Sequence, residues 1–144
     1  MAELKELIQK YLPQILEHRR HIHAHPELTG QEKETAAYIA ETLRAMGLKP
    51  VEGVGGYGVV ALIEGRGPGK CVGLRADIDA LPLTECTGLP YSSQNPGVAH
   101  SCGHDTHAAI HGIFQARVLE WGAIAFSEHK FRRRYFWSGG RKRV

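Results

Sequence analysis

Two apolar, β-branched runs constrain this chain most. Gly58–Glu64 (Gly-Val-Val-Ala-Leu-Ile-Glu) and Lys70–Ala76 (Lys-Cys-Val-Gly-Leu-Arg-Ala) read as strands. Gly65-Arg66-Gly67-Pro68-Gly69 between them is a turn cluster. Two helical segments precede the strands. Leu4, Leu7, Ile8, Tyr11, Ile15 and Ile22 roughly keep the helical period over residues 3–25. Pro13 predicts a kink or a late start, and His25-Pro26 predicts the end, because the residue before proline avoids helical backbone. Thr29 and Glu32 have capping-box spacing ahead of the stripe Ala36, Ile39, Ala40, Leu43 and Met46, and Gly47 suits a left-handed helix end. Lys49–Val51 reads as a short strand, Asp77–Ser101 as a long irregular stretch, and a helix is expected to start near His104. Helices followed by apolar strands predict an α/β sandwich with a mixed sheet.

With 144 residues the chain suits one domain, and no run approaches the ~18 apolar residues that cross a bilayer. The early acids of Met-Ala-Glu-Leu-Lys-Glu-Leu argue against a secretory signal. Cys71, Cys86 and Cys102 are odd in number and far apart, which predicts a reducing, cytoplasmic setting rather than a disulfide framework. The net charge of +3 is a property of one segment. Residues 130–144 carry 7 basic residues and no acid, and the rest has 11 basic against 15 acidic residues. The basic balance is therefore no sign that the fold binds nucleic acid.

Cys102-Gly103-His104-Asp105 is the strongest chemical signal. Thiolate and imidazole are both good ligands for zinc-like metals, and two positions apart they can converge on one ion from a turn. Asp105 could orient a ligand imidazole, and His107 and His111 extend the cluster along one helix face. The alternative is a polar turn with a buried cysteine. Cys102 as a nucleophile with His21 or His111 as base is a weaker reading. In Arg75-Ala76-Asp77-Ile78-Asp79-Ala80-Leu81-Pro82, two carboxylates follow a strand, where sites gather in α/β sheets; they could ligate, orient or simply cap a turn. His18, His21 and His25 could share a helix face, with Arg19 and Arg20 among them repelling a cation. Gly53-Val54-Gly55-Gly56-Tyr57-Gly58 fits G-x-G-x-x-G, but a strand follows where a dinucleotide site needs a helix, so it reads as a flexible loop.

His21-Ile22-His23-Ala24-His25-Pro26-Glu27-Leu28, Arg75 to Pro82, and His100-Ser101-Cys102-Gly103-His104-Asp105-Thr106-His107 occur in that order. Together they resemble the metallo-amidohydrolases that include hippurate hydrolase, indoleacetyl-amino-acid hydrolases and N-acetyl-diaminopimelate deacetylase, of the aminoacylase and zinc carboxypeptidase superfamily. The resemblance covers roughly residues 1–111. It implies an α/β fold, a partial two-metal peptidase-like catalytic domain with helices on a mixed sheet, its C-terminal portion and lid domain missing. It implies hydrolysis of the amide in N-acyl amino acids with two divalent ions, Zn or Mn, and homo-oligomers among full-length members. Neither a membrane nor nucleic acid is an expected partner. By position Cys102 and His104 resemble metal ligands and Asp77 the catalytic aspartate, with Asp79, Asp105 and His107 in support. The family's base is one of two adjacent glutamates beyond the histidine motif, and this sequence has no Glu-Glu pair. The chain alone is therefore expected to be inactive. Residues 112–144 read as an unrelated or irregular basic tail. The competing function is a non-enzymatic metal-binding module whose Arg132-Arg133-Arg134 segment, followed by Tyr135, Phe136 and Trp137, binds polyanions.

Overall fold

The computed structural model describes residues 2–64, 70–111 and 131–138. Helix α1 (Ala2–Ala24) runs through Pro13 without a break, so the proline neither delays nor splits it. Helix α2 spans Lys33–Ala45. Strands β1 (Val51–Val54) and β2 (Gly58–Glu64) form an antiparallel hairpin, so the glycine-rich segment is a tight turn rather than a loose loop. The predicted Lys49–Val51 strand starts two residues later than expected. Strand β3 (Lys70–Ala76) matches its predicted limits. A third helix, α3, opens at His104 and is described over 104–111. The turn expected over 65–69 lies outside the described residues, as do 112–130 and 139–144 of the expected tail.

The expectation of an irregular tail is corrected for Phe131–Ser138, which form strand β4. The sheet order is β1-β2-β4-β3, with β4 antiparallel to β2 and parallel to β3, so the sheet is mixed. Phe131, Tyr135, Phe136 and Trp137 are good strand formers. Backbone partners on both sides hold the segment despite the three intervening arginines, whose charges hid it from a pattern-based reading.

The core lies between the helices and one face of β2. Ile22 of α1, Ala36, Ile39, Ala40 and Leu43 of α2, Val59 and Ala61 of β2, Ile78 and Ala108 form one cluster. The α2 stripe is the predicted one, apart from half-buried Met46. On α1, Ile8 keeps the helical period but is 45% exposed. Burying each Ile or Leu of this cluster contributes about 1.5–3 kcal/mol.

The ends of α2 show how local chemistry sets its limits. Gly47, at φ +80°, closes a Schellman motif in which Leu48 N donates to Leu43 O and Gly47 N to Arg44 O. The expected capping box is not formed. Glu32 occupies the N-cap position without a side-chain cap bond. The Glu27 carboxylate instead accepts from Glu34 N at 3.1 Å and Thr35 N at 2.7 Å. Thr29 is drawn off by a hydrogen bond to Asp79.

Candidate metal centre and the polar network behind it

The strand alternation of β3 continues past its end. Ala76, Ile78 and Ala80 are buried, while Asp77 and Asp79 between them are half-buried and share the other face. Two isolated bridges, Leu28 to Ala80 and Leu81 to Ala99, pin this extension, and Ala80 N donates to Glu27 O at 2.8 Å. Gly103, at φ +87°, then turns the chain into α3, and its carbonyl accepts from Thr106 N and His107 N.

This turn brings His104 onto Asp79. His104 Nδ1 lies 2.9 Å from the Asp79 carbonyl oxygen and 2.9 Å from Asp79 Oδ1. A carbonyl can only accept, so Nδ1 carries the proton and the neutral ring keeps its lone pair on Nε2. That is the arrangement of a metal-binding histidine oriented by a second acceptor. Cys102, two residues earlier, is a free, exposed thiol. Asp77 receives Arg75 at 2.5 Å. The structure thus brings together His104 and Asp79, with Cys102 on the same turn.

Asp105 and His107 do not join them. Asp105 Oδ2 is hydrogen-bonded to Arg19 and His23, and it is Asp79 that meets the His104 ring. His107 is exposed and faces His111, ring centroids 6.5 Å apart. Among the described residues, no three His, Cys, Asp or Glu side chains gather as a metal-binding group. The donors present fit part of a metal site.

Behind the turn lies a network that sequence reasoning missed. Asp105 Oδ2 accepts from Arg19 Nε and from His23 Nδ1, both at 2.8 Å. His23 Nε2 lies 3.2 Å from Glu85 Oε1. Glu85 also accepts from the Thr87 hydroxyl and from Ser93 N at 2.7 Å. The Thr87 hydroxyl first, then Ser93 N–H and His23, hold the Glu85 carboxyl at about 2. Burial alone would raise Asp105, but the His23 hydrogen bond and the Arg19 charge outweigh it and hold the carboxyl below its ordinary value. His100, 5% exposed, sits beside His23 with ring centroids 6.3 Å apart. Neither of its ring nitrogens, nor Asp105 Oδ1, has a hydrogen-bond partner among the described residues. Burial, with His23 and His104 adding to it, pushes His100 down to about 4. Buried polar atoms without partners beside an oriented imidazole mark a polar site rather than an apolar core. The one sequence signal for this network was the i, i+4 spacing of Arg19 and His23 on α1.

The helix-backed mixed sheet carries an oriented imidazole and an exposed thiol on the turn into α3, and chains of known family share this arrangement of sequence and fold. Residues 73–123 match the profile of peptidase family M20/M25/M40. Over this segment the chain is similar to the family, and the relatives it matches include amidohydrolases, deacetylases and carboxypeptidases. It is 48% identical over 111 residues to thermostable carboxypeptidase 1 of Saccharolobus solfataricus, covering 76% of this chain and 28% of that one. It is 43% identical over 108 residues to an N-acyl-L-amino acid amidohydrolase of Geobacillus stearothermophilus, covering 75% and 29%. A dinuclear metal-binding peptidase of the M20 family from Bacillus subtilis superposes with a TM-score of 0.80 at 33% identity, over 90% of this chain and 35% of that one. The chain spans less than a third of the length of these curated relatives. Among the described residues, no helix is long and apolar enough to cross a membrane.

Proposed function

We propose that this chain is the N-terminal part of the catalytic domain of a metal-dependent hydrolase that cleaves the amide of N-acyl amino acids, and that residues 1–111 carry the family's share of it. The observation that carries this reading is His104, held through Nδ1 on Asp79 with its other nitrogen free, two residues from the Cys102 thiol. Cys102 and His104 would hold a divalent ion, Zn or Mn, in a site completed by a second ion in the whole enzyme. When bound, such ions polarise the amide carbonyl and acidify a bound water. Asp79 fixes the His104 ring, and Asp77 lies on the same face of the strand extension. The similarity to an N-acyl-L-amino acid amidohydrolase supports a small N-acyl amino acid as substrate. Free thiols at Cys86 and Cys102 suit a reducing, cytoplasmic compartment, and we expect homo-oligomers of the whole enzyme.

The chain alone lacks the glutamate pair that would take a proton from water. We expect zinc uptake without turnover. Equilibrium dialysis should find bound zinc that drops about 10- to 100-fold in affinity in Cys102→Ala and His104→Ala. Hippurate and N-acetyl amino acids should stay intact with zinc or manganese present. Turnover abolished by Cys102→Ala would overturn the inactivity, and zinc binding indifferent to both substitutions would overturn the site. Arg132, Arg133 and Arg134 of the polyanion-arm reading belong to a strand whose backbone is paired on both sides.

A further inference from the structure

A second pair of histidines stands apart from the Cys102–His104 turn. His21 and His25 are exposed at the end of α1, their ring centroids 4.6 Å apart and their planes tilted by 34°. His25 Nδ1 donates to the His21 carbonyl at 2.8 Å, so the neutral His25 ring keeps its lone pair on Nε2. His21 stacks on Tyr38, with centroids 3.8 Å apart and planes 18° from parallel. Stacking fixes the plane of the ring and leaves its in-plane nitrogens available.

The obvious objection is the positive charge of Arg19 and Arg20. Both guanidinium groups lie 5.2 Å from the Tyr91 ring, and Arg19 is also tied to Asp105. Burial, then the His25 and His18 charges, lower the proton affinity of His21 and so favour the uncharged ring that can take a metal. The Glu17 carboxylate acts on His18 and Tyr38, the immediate neighbours of the pair.

We propose that His21 and His25 form a surface site for a late first-row divalent cation of the nickel, copper or zinc class, held by two imidazole nitrogens one helical turn apart. Imidazole pairs select such ions over magnesium or calcium. No third side-chain donor converges among the described residues, so solvent completes the coordination. The site does not depend on the reading of Cys102 and His104.

The test uses the full 144-residue chain carrying Cys102→Ser and His104→Ala, which silences the other site. Calorimetric titration with Ni2+ should show one equivalent bound. Adding His21→Ala or His25→Ala should weaken it by about tenfold or more, and adding His107→Ala should not. Paramagnetic broadening by Ni2+ should strike the amides around residues 21 and 25 first, a readout that needs no substitution at the site. Absence of binding, binding indifferent to His21 and His25, or broadening centred on His107 and His111 would overturn the proposal.

Discussion

Asp105 is 1% exposed, and through one oxygen it anchors Arg19 on α1 and His23 near the same helix end. Removing one partner of a buried ion pair costs about 3–5 kcal/mol. Arg19 is 27% exposed, which places this pair at the low end. Asp105→Ala should therefore lose about 3 kcal/mol in urea unfolding. A loss near zero would mean that the network does not tie α1 to α3. His100 sets a pH dependence. Its folded value, pushed down to about 4 by burial, lies below the ordinary 6.5, so the unfolded chain binds a proton that the folded chain refuses. The His100 contribution is full above about pH 6.5 and is lost as pH falls towards 4. Glu85 acts lower, because its carboxyl is held at about 2 against an ordinary 4.5; its contribution is full above 4.5 and lost as pH falls towards 2. Thermal melts from pH 7.5 to 4 should show falling stability, and His100→Leu should flatten that fall. A His100→Leu profile parallel to wild type would refute the assignment.

At the scale of elements, Glu27 replaces the cap that the sequence announced for α2. Its carboxylate accepts two N-terminal amides and meets the positive end of the helix dipole. Glu27→Gln removes the charge and should cost about 1 kcal/mol, read as a lower urea midpoint at unchanged slope. Thr29→Ala should not act through the helix cap, because its hydroxyl is spent on Asp79. This case marks the limit of local patterns. The Thr29–Glu32 spacing was a fair signal, but the hydroxyl found a partner fifty residues along, which no short window contains. For the same reason β2 and β3 were legible to the residue, being apolar runs bounded by glycine or a charge, whereas β4 was not. Of the candidate site, the Cys102, His104 and Asp79 positions could be read from motifs. The Arg19, His23, Glu85 and Asp105 pairing could not, because it joins α1 to segments more than sixty residues away.

For the whole molecule, strand order decides which parts depend on which. Among the described residues, β3 joins the sheet through β4 alone, and β3 leads directly into Asp77 and Asp79. Tyr135 pairs with Leu62 on one side and Gly73 on the other. Tyr135→Pro removes a ladder donor from a central strand, where proline is all but excluded, and should cost about 3 kcal/mol or more. The expected result is a broadened, lower melt by circular dichroism together with loss of zinc uptake at Cys102 and His104. A variant that melts like wild type would show that β4 does not hold the sheet. The parallel pairing of Lys70 with Phe131 also governs how the chain meets the ribosome. Residues 70–76 emerge well before their neighbour is synthesised, by about 3–12 s at typical elongation rates. Through that interval a bare apolar edge waits in a crowded solution. The yield of the nascent polypeptide on expression should therefore track the supply of chaperones.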